Sequence, residues 1–249
     1  MRSQAMLRGK LARNPKPITG LSRSLMQDNI LAVARELYTD GPALLRALQQ
    51  YRPYICPFDV LIEAVPPDSF VLDIGCGGGL FLGLLSRTGR IKGGVGIDSN
   101  ARAVDFAESM TNNLPPSHCV EFVVCDALDA LPTGHYEVVT LLDVMHHVPS
   151  ARQRQLLQDA IARVATGGLL IYKDMARKPY WRALANRMHD LVLARQWINY
   201  APIEQVVEWA EARGCVVRAR HAINMLWYGH EIVVFQRPAD AHTEGVTAH

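Results

Sequence analysis

Val71-Leu72-Asp73-Ile74-Gly75-Cys76-Gly77-Gly78-Gly79-Leu80-Phe81 is the stretch on which the reading of this chain turns. It opens as an apolar run containing one acid, passes through four glycines in five positions, and continues into a segment able to coil. A buried strand, a tight turn and a helix read this way. Glycine suits such a turn because, without a Cβ, the backbone takes positive φ and lets a ligand come close. The helix behind the turn points its unpaired N–H groups at the same place.

The spacing excludes two ligand classes. A dinucleotide fingerprint needs G-x-G-x-x-G, and counted from Gly75 and Gly77 the third glycine falls where Leu80 stands. A P-loop needs Gly-Lys-Ser/Thr after the glycines, and none follows here. What remains is D-x-G-x-G-x-G, with Asp73 two residues before Gly75. A carboxylate at a strand end repels a pyrophosphate and suits a ligand carrying a cationic group. The motif resembles the cofactor loop of the class I S-adenosylmethionine (SAM)-dependent methyltransferases. By that resemblance Asp73, Gly75, Cys76, Gly77 and Gly79 contact SAM, and S-adenosylhomocysteine (SAH) is the product.

Outward from the loop, apolar runs alternate with helical patterns. Strands are expected at 70–74, 93–97, 120–124, 138–142 and 169–172, and helices at 80–86, 101–111 and 151–164, the last ended by Gly167-Gly168. Such β-α repeats make a parallel sheet covered on both faces, with the ligand crevice at the carboxyl ends of the strands. A helix at 202–212 and strands at 215–219 and 231–235, joined by a bend at 224–230, complete the pattern. The resemblance implies a doubly wound seven-stranded sheet in the order 3-2-1-4-5-7-6, mostly parallel, with the last strand antiparallel.

Acids and histidines stand at the expected strand ends. Asp98, followed by Ser99, ends the second strand. Its carboxylate can take both hydroxyls of a ribose, or merely cap the next helix. The resemblance assigns it the ribose, and places Asp126 and Ala127 against the adenine. It also sets Asp143, in Leu141-Leu142-Asp143-Val144-Met145-His146-His147-Val148-Pro149, beside the methionyl part of SAM. This segment is similar to that of small-molecule methyltransferases, including the quinone-biosynthesis type. A histidine there can take a proton from an acceptor hydroxyl or amine near neutral pH, so His146 or His147 is the candidate base. It can equally hold the loop or pack on the cofactor. No third ligand stands at a metal-binding spacing, so no metal is expected.

The flanks carry the acceptor side. Residues 1–27 hold six basic residues and no acid, an arm that is either a solvated tail or a contact for an acidic surface. Residues 28–66 read as a helical lid, with Asp40 a helix cap, Pro42 just inside the second helix, and Pro53 and Pro57 forbidding regular helix around Tyr54. Residues 67–237 form the main domain, with an inserted cap helix at about 174–201, where Lys173-Asp174-Met175-Ala176 breaks the strand pattern, and 238–249 a tail. Tyr54, Trp181, Tyr200, Trp227 and Tyr228 are candidate acceptor-pocket residues, with Tyr51, Phe58 and His230 also in reach. The basic segment 177–195 can cap the pocket, rest on a membrane or carrier protein, or simply pack on the sheet.

Composition bounds the function. A chain of 249 residues, 49% hydrophobic and 20% charged, is an ordinary globular composition, and a net charge of +2 does not suggest general nucleic-acid binding. Five cysteines without a C-x-x-C read as buried free thiols in a reducing compartment, so a cytoplasmic setting is expected, with membrane contact at most peripheral. The expected partner is a small, rather apolar acceptor methylated on oxygen, with nitrogen or carbon as alternatives. An RNA methyltransferase, an aminopropyl transferase and an inactive SAM-fold partner protein are the competing readings.

Overall fold

The computed structural model describes residues 23–115, 119–175, 199, 201–226 and 228–239. Trp181, Tyr200, Trp227, the segment 177–195, residues 1–22 and those from 240 lie outside this set. Seven strands form one sheet in the order β3-β2-β1-β4-β5-β7-β6. They are β1 Ser69–Ile74, β2 Ile91–Asp98, β3 Cys119–Val124, β4 Tyr136–Leu142, β5 Val164–Met175, β6 Val216–Met225 and β7 Tyr228–Gln236. β7 is antiparallel to both of its neighbours; the other pairings are parallel.

Side-chain alternation explains why both faces are covered. In β1 Val71 enters one core cluster while Leu72 and Ile74 enter the other; in β5 Ile171 and Tyr172 divide the same way, as do Ile232 and Val233 in β7. The first face packs against α1 Arg23–Leu37, α3 Phe58–Ala64, α4 Leu80–Arg87 and α5 Ala101–Met110, and the second against α6 Ser150–Arg163 and α7 Ile203–Glu211. A sheet buried on both faces needs such near-continuous apolar strands.

Between α1 and α3, α2 Ala43–Ile55 leans on the glycine loop. Tyr38 Oη donates to the Gly78 carbonyl at 2.6 Å, and a Cβ at Gly78 would lie 2.6 Å from Gln49 Nε2. Tyr38 and α2 therefore pack directly on the loop.

Several expectations are corrected. Pro42 itself caps α2, its carbonyl accepting the Arg46 N–H at 3.0 Å, while Asp40 stays outside. α2 runs through Pro53, which falls in its last turn, where only one backbone bond is lost before the helix ends. The continued helix puts Arg52, Ile55 and Cys56 on the inner side and turns Tyr54 outward, 41% exposed. Tyr51 is exposed beside it, and Phe58 is buried against Phe81. α6 stops at Arg163 and Val164 begins β5 at once, so Gly167 and Gly168 lie inside the strand. β5 also continues through Lys173, Asp174 and Met175, which pair with Ile232, Glu231 and His230 of β7. The strand therefore runs past the expected start of the insertion at about 174, and the rest of that expectation, apart from residues 199 and 201, lies outside the described residues. β6 and β7 continue through the stretch expected to be a bend, as far as the pair Met225 and Tyr228.

Candidate active site

The carboxyl ends of β1, β2, β4 and β5 surround a cavity of about 580 Å³. Its size is that of an ordinary small-molecule site. Gly75, Asp98, Ser99, Asp126, Ala127, Asp143, His146, His147 and Tyr228 all line it, so residues up to 153 positions apart in the chain meet at one crevice.

The glycine loop is shaped by close approach. Gly75, Gly77 and Gly79 all have positive φ, and a Cβ on Gly75 would lie 2.4 Å from Val144 Cγ2. Gly79 caps α4, and a Cβ there would meet the Phe122 ring at 2.6 Å. Cys76 is buried. The loop is pinned to β2, because the Gly77 N–H donates to Asp98 Oδ2 at 2.9 Å while Asp98 Oδ1 accepts the Asn100 N–H. Asn100, rather than Asp98, caps α5 through the Arg102 N–H. Asp126 Oδ1 accepts the Leu128 N–H at 2.9 Å and so sets the turn after β3.

Asp73 departs from its expected place. It shares the face of Val71, beneath the loop, is 2% exposed, and does not line the cavity. Its Oδ1 accepts from Thr140 Oγ1 at 2.5 Å. Burial pushes its pKa up to about 7, against the opposing hydrogen bond from Thr140 and the charge of Arg52. Asp73 supports the loop from below; Cys76, Gly77 and Gly79 likewise stand in the loop and not on the cavity wall.

The β4–β5 side holds the densest chemistry. Asp143 leaves β4 at φ +59, a left-handed conformation that aspartate tolerates better than most residues. Its N–H donates to the Lys173 carbonyl, and its Oδ2 takes the Lys173 ammonium at 2.5 Å, with the Arg52 guanidinium at 3.8 Å. Burial alone would raise its pKa; Lys173 above all, then His146, Arg52 and His230, outweigh that and hold the carboxyl well below the usual range. Burial would lower the pKa of Lys173, but Asp143 overcomes it and the amine stays charged. Asp143 Oδ1 is buried without a hydrogen-bond partner.

Asp174 points to the opposite face from Lys173, as successive strand residues must. There its Oδ1 lies 2.6 Å from His146 Nδ1, and its Oδ2 accepts the His146 backbone N–H at 3.2 Å. His146 is 1% exposed, whereas His147 is exposed at the rim, the two ring centroids 4.0 Å apart. Gln153 Nε2 donates to the carbonyls of Met145, Val148 and Asn199 and fixes the backbone around them. Asp143, His146 and Asp174 bring ligand-type atoms within 4.8 Å of one another, a cluster that the sequence spacing did not suggest. Each already has a partner: the Lys173 ammonium holds Asp143, and Asp174 holds His146.

Sequence reasoning missed Arg52, Lys173 and Asp174. The first stands beside a proline and the other two read as a loop; only the strand pairing with β7 shows that they are held inward.

A seven-stranded sheet of this order, with a glycine loop and acids at its carboxyl edge, is the architecture of the class I SAM-dependent methyltransferases. The chain belongs to the methyltransferase-domain family, whose model matches residues 42–220. It is similar to a ubiquinone biosynthesis O-methyltransferase of Albidiferax ferrireducens, 29% identical over 109 residues, which is 44% of this chain and 42% of that protein. The match thus spans less than half of the length of that relative. Among solved structures, it resembles the magnesium protoporphyrin IX methyltransferase of Synechocystis PCC 6803 with bound SAH, at a TM-score of 0.62 and 17% identity, covering 86% of this chain and 98% of that one. It also resembles the N-methyltransferase NodS of Bradyrhizobium japonicum WM9 in complex with SAH, at a TM-score of 0.58 and 19% identity, covering 83% and 97%.

Proposed function

We propose that this protein transfers a methyl group from SAM to a hydroxyl oxygen of a small, rather apolar acceptor. The observation that carries the oxygen assignment is His146 on the cavity wall, paired with the buried Asp174. Oxygen acceptors must lose a proton as they are methylated, and a histidine oriented by a carboxylate is a group suited to take it.

The residues present fit SAM. Asp98, pinned by the Gly77 and Asn100 N–H groups, stands where a ribose needs acceptors, and Asp126-Ala127 flank the place for an adenine. The buried, unpartnered Asp143 Oδ1 would accept an ammonium. Gly75, where a Cβ would strike Val144, keeps the crevice open to a close ligand. SAM bound there would supply a methyl carbon activated by its sulfonium.

The chain's own residues do the rest. With Nδ1 engaged by Asp174, the acceptor's proton goes to His146 Nε2, and the carboxylate steadies the imidazolium that forms. Lys173 and Arg52 offset two of the three carboxylates on the wall, Asp98, Asp126 and Asp143, so the site keeps a small negative excess that suits a cationic cofactor. Ile55, Leu142, Val148 and Met175 give the cavity apolar walls that help exclude water from the reacting groups.

The test is incubation with methyl-labelled SAM and a panel of hydroxylated, amino and unsubstituted aromatic acceptors. Label on the hydroxyl oxygen, accompanied by SAH, is the expected product. Label on nitrogen or carbon only would overturn the oxygen assignment, and release of methylthioadenosine in place of SAH would overturn methyl transfer.

A further inference from the structure

His230 has no role in the methyl transfer proposed above. It lies in β7 opposite Met175 of β5, is 3% exposed, and lines the cavity. Its place two residues before Ile232, itself opposite Lys173, puts it on the face of Lys173 and away from the Asp174–His146 pair. Neither of its ring nitrogens makes a hydrogen bond of good geometry. Tyr228 stacks beside it, ring centroids 6.1 Å apart.

Burial, and next the ammonium of Lys173, push the His230 pKa down to about 4, while Asp143, the Ile55 backbone and Asp174 act the other way. The ring is therefore neutral at ordinary pH, with one nitrogen protonated and the other a bare lone pair. Both ring nitrogens are buried without a hydrogen-bond partner, so the lone pair lacks a donor. A buried acceptor with no donor is unfavourable, and native proteins leave few of them except where a ligand completes the set.

We propose that His230 is the acceptor-recognition residue, its unprotonated ring nitrogen accepting a hydrogen bond from a hydroxyl group of the acceptor. This rests on the reading that the cofactor takes the β1–β4 side of the crevice and the acceptor the β5–β7 side. An ether or a carboxylate brings no proton to that nitrogen. With Asp143 already taken by the cofactor's ammonium, a second ammonium on the acceptor brings protons but meets the charges of Lys173 and Arg52 with no free carboxylate between them. A purely apolar group leaves the lone pair unpaired. The neutral hydroxyl is the group that the wall selects.

Phenol and anisole share the ring and the oxygen and differ by the donor proton against a methyl group, so they are the probes, with His230→Phe separating the hydrogen bond from the difference in size. Each is titrated into SAH-loaded, histidine-¹⁵N-labelled protein, with the His230 resonances assigned by their loss in His230→Phe. Phenol is expected to bind at least about tenfold tighter than anisole and to move the His230 nitrogen signals, a factor in keeping with one hydrogen bond. In His230→Phe the preference should fall to near unity, and in His230→Gln, which keeps an acceptor oxygen, part of it should remain. Equal binding of the two probes to the native protein, failure of phenol to shift His230, or a preference that survives in His230→Phe would overturn the proposal. Retained SAH binding in both variants shows that they are folded; if Phe disrupts the fold, loss of the phenol preference in His230→Leu decides instead. Failure of SAH to bind the native protein would sink the cofactor reading, which is a separate result.

Discussion

His146 and Asp174, 28 residues apart in the chain, are joined twice: ring to carboxylate at 2.6 Å, and backbone N–H to the same carboxylate at 3.2 Å. One contact sets the tautomer of the ring and the other sets the position of its Cα. Asp174→Asn keeps the size but cannot hold Nδ1–H and stabilise an imidazolium in the same way. Turnover is expected to fall by about 10²-fold or more, in line with general-base contributions. SAH affinity, measured by calorimetry, should change little. His146→Ala should match it, and the double variant should be no worse than either single one. Additive losses would mean that the two residues do not act as a unit.

Asp98 both borders the cavity and holds the Gly77 N–H. Asp98→Asn preserves one acceptor oxygen and removes the charge. SAH affinity should drop at least about tenfold, the worth of a charge-assisted hydrogen bond. The melting temperature of the unliganded protein should shift by only a few degrees. An affinity that does not change would remove the ribose role from Asp98.

Lys173 is a buried charge held by Asp143. Lys173→Met leaves that carboxylate with only the more distant Arg52, and should destabilise the fold by about 3 kcal/mol. Adding Asp143→Asn, which suits the left-handed backbone at this position, should restore most of the loss. Urea unfolding of the single and double variants measures both. If the second substitution makes matters worse, the pair is not what holds Lys173 in place.

Gly75→Ala tests the loop geometry. The added methyl meets Val144 and also sits at φ +73, so two separate penalties apply. The left-handed conformation alone costs about 1–2 kcal/mol. Val144→Ala should relieve the clash and leave that backbone penalty behind, so thermal melts of the pair should show partial rescue. Complete rescue would contradict the backbone argument, and no rescue would contradict the contact.

Two buried groups give opposite pH slopes. Asp73 is raised to about 7 by burial, so the folded state holds its proton longer than the unfolded state does. Its contribution to stability is full below the ordinary carboxylate range and lost as pH rises to about 7. His230, lowered to about 4 by burial and Lys173, behaves in reverse: its contribution is full above the ordinary histidine value of 6.5 and lost as pH falls to about 4. Between pH 4.5 and 6.5, roughly, Asp73→Asn should make the melting temperature rise more steeply with pH, and His230→Phe should make it rise less steeply or fall. Changes of the same sign in both variants would contradict these assignments.

The sheet was readable in the sequence because its signals are local. The apolar runs that become β1 and β4, the glycines at 75, 77 and 79, and the acids at 98 and 126 each declare themselves within a few residues. The ends of β5 and the shape of the β5–β7 wall were not. Lys173 and Asp174 look like a loop, and become strand residues only because Asp143 and His146, 30 and 28 residues away, give them partners inside. Tyr54 failed for a related reason: reading Pro53 as a break hid the last turn of α2, which turns Tyr54 out and Arg52 in. Asp73 was readable as a feature of the loop, but its depth below it follows from the β1–β4 register, which pairs it with Thr140.

The most direct test of the whole account is a crystal structure of the protein grown with SAH. The adenine should lie against Asp126 and Ala127, the ribose hydroxyls on Asp98, and the amino group at Asp143, with the sulfur turned toward His146. A crevice beside Gly75 that stays empty at saturating SAH, or SAH bound with its ribose away from Asp98, would contradict the account.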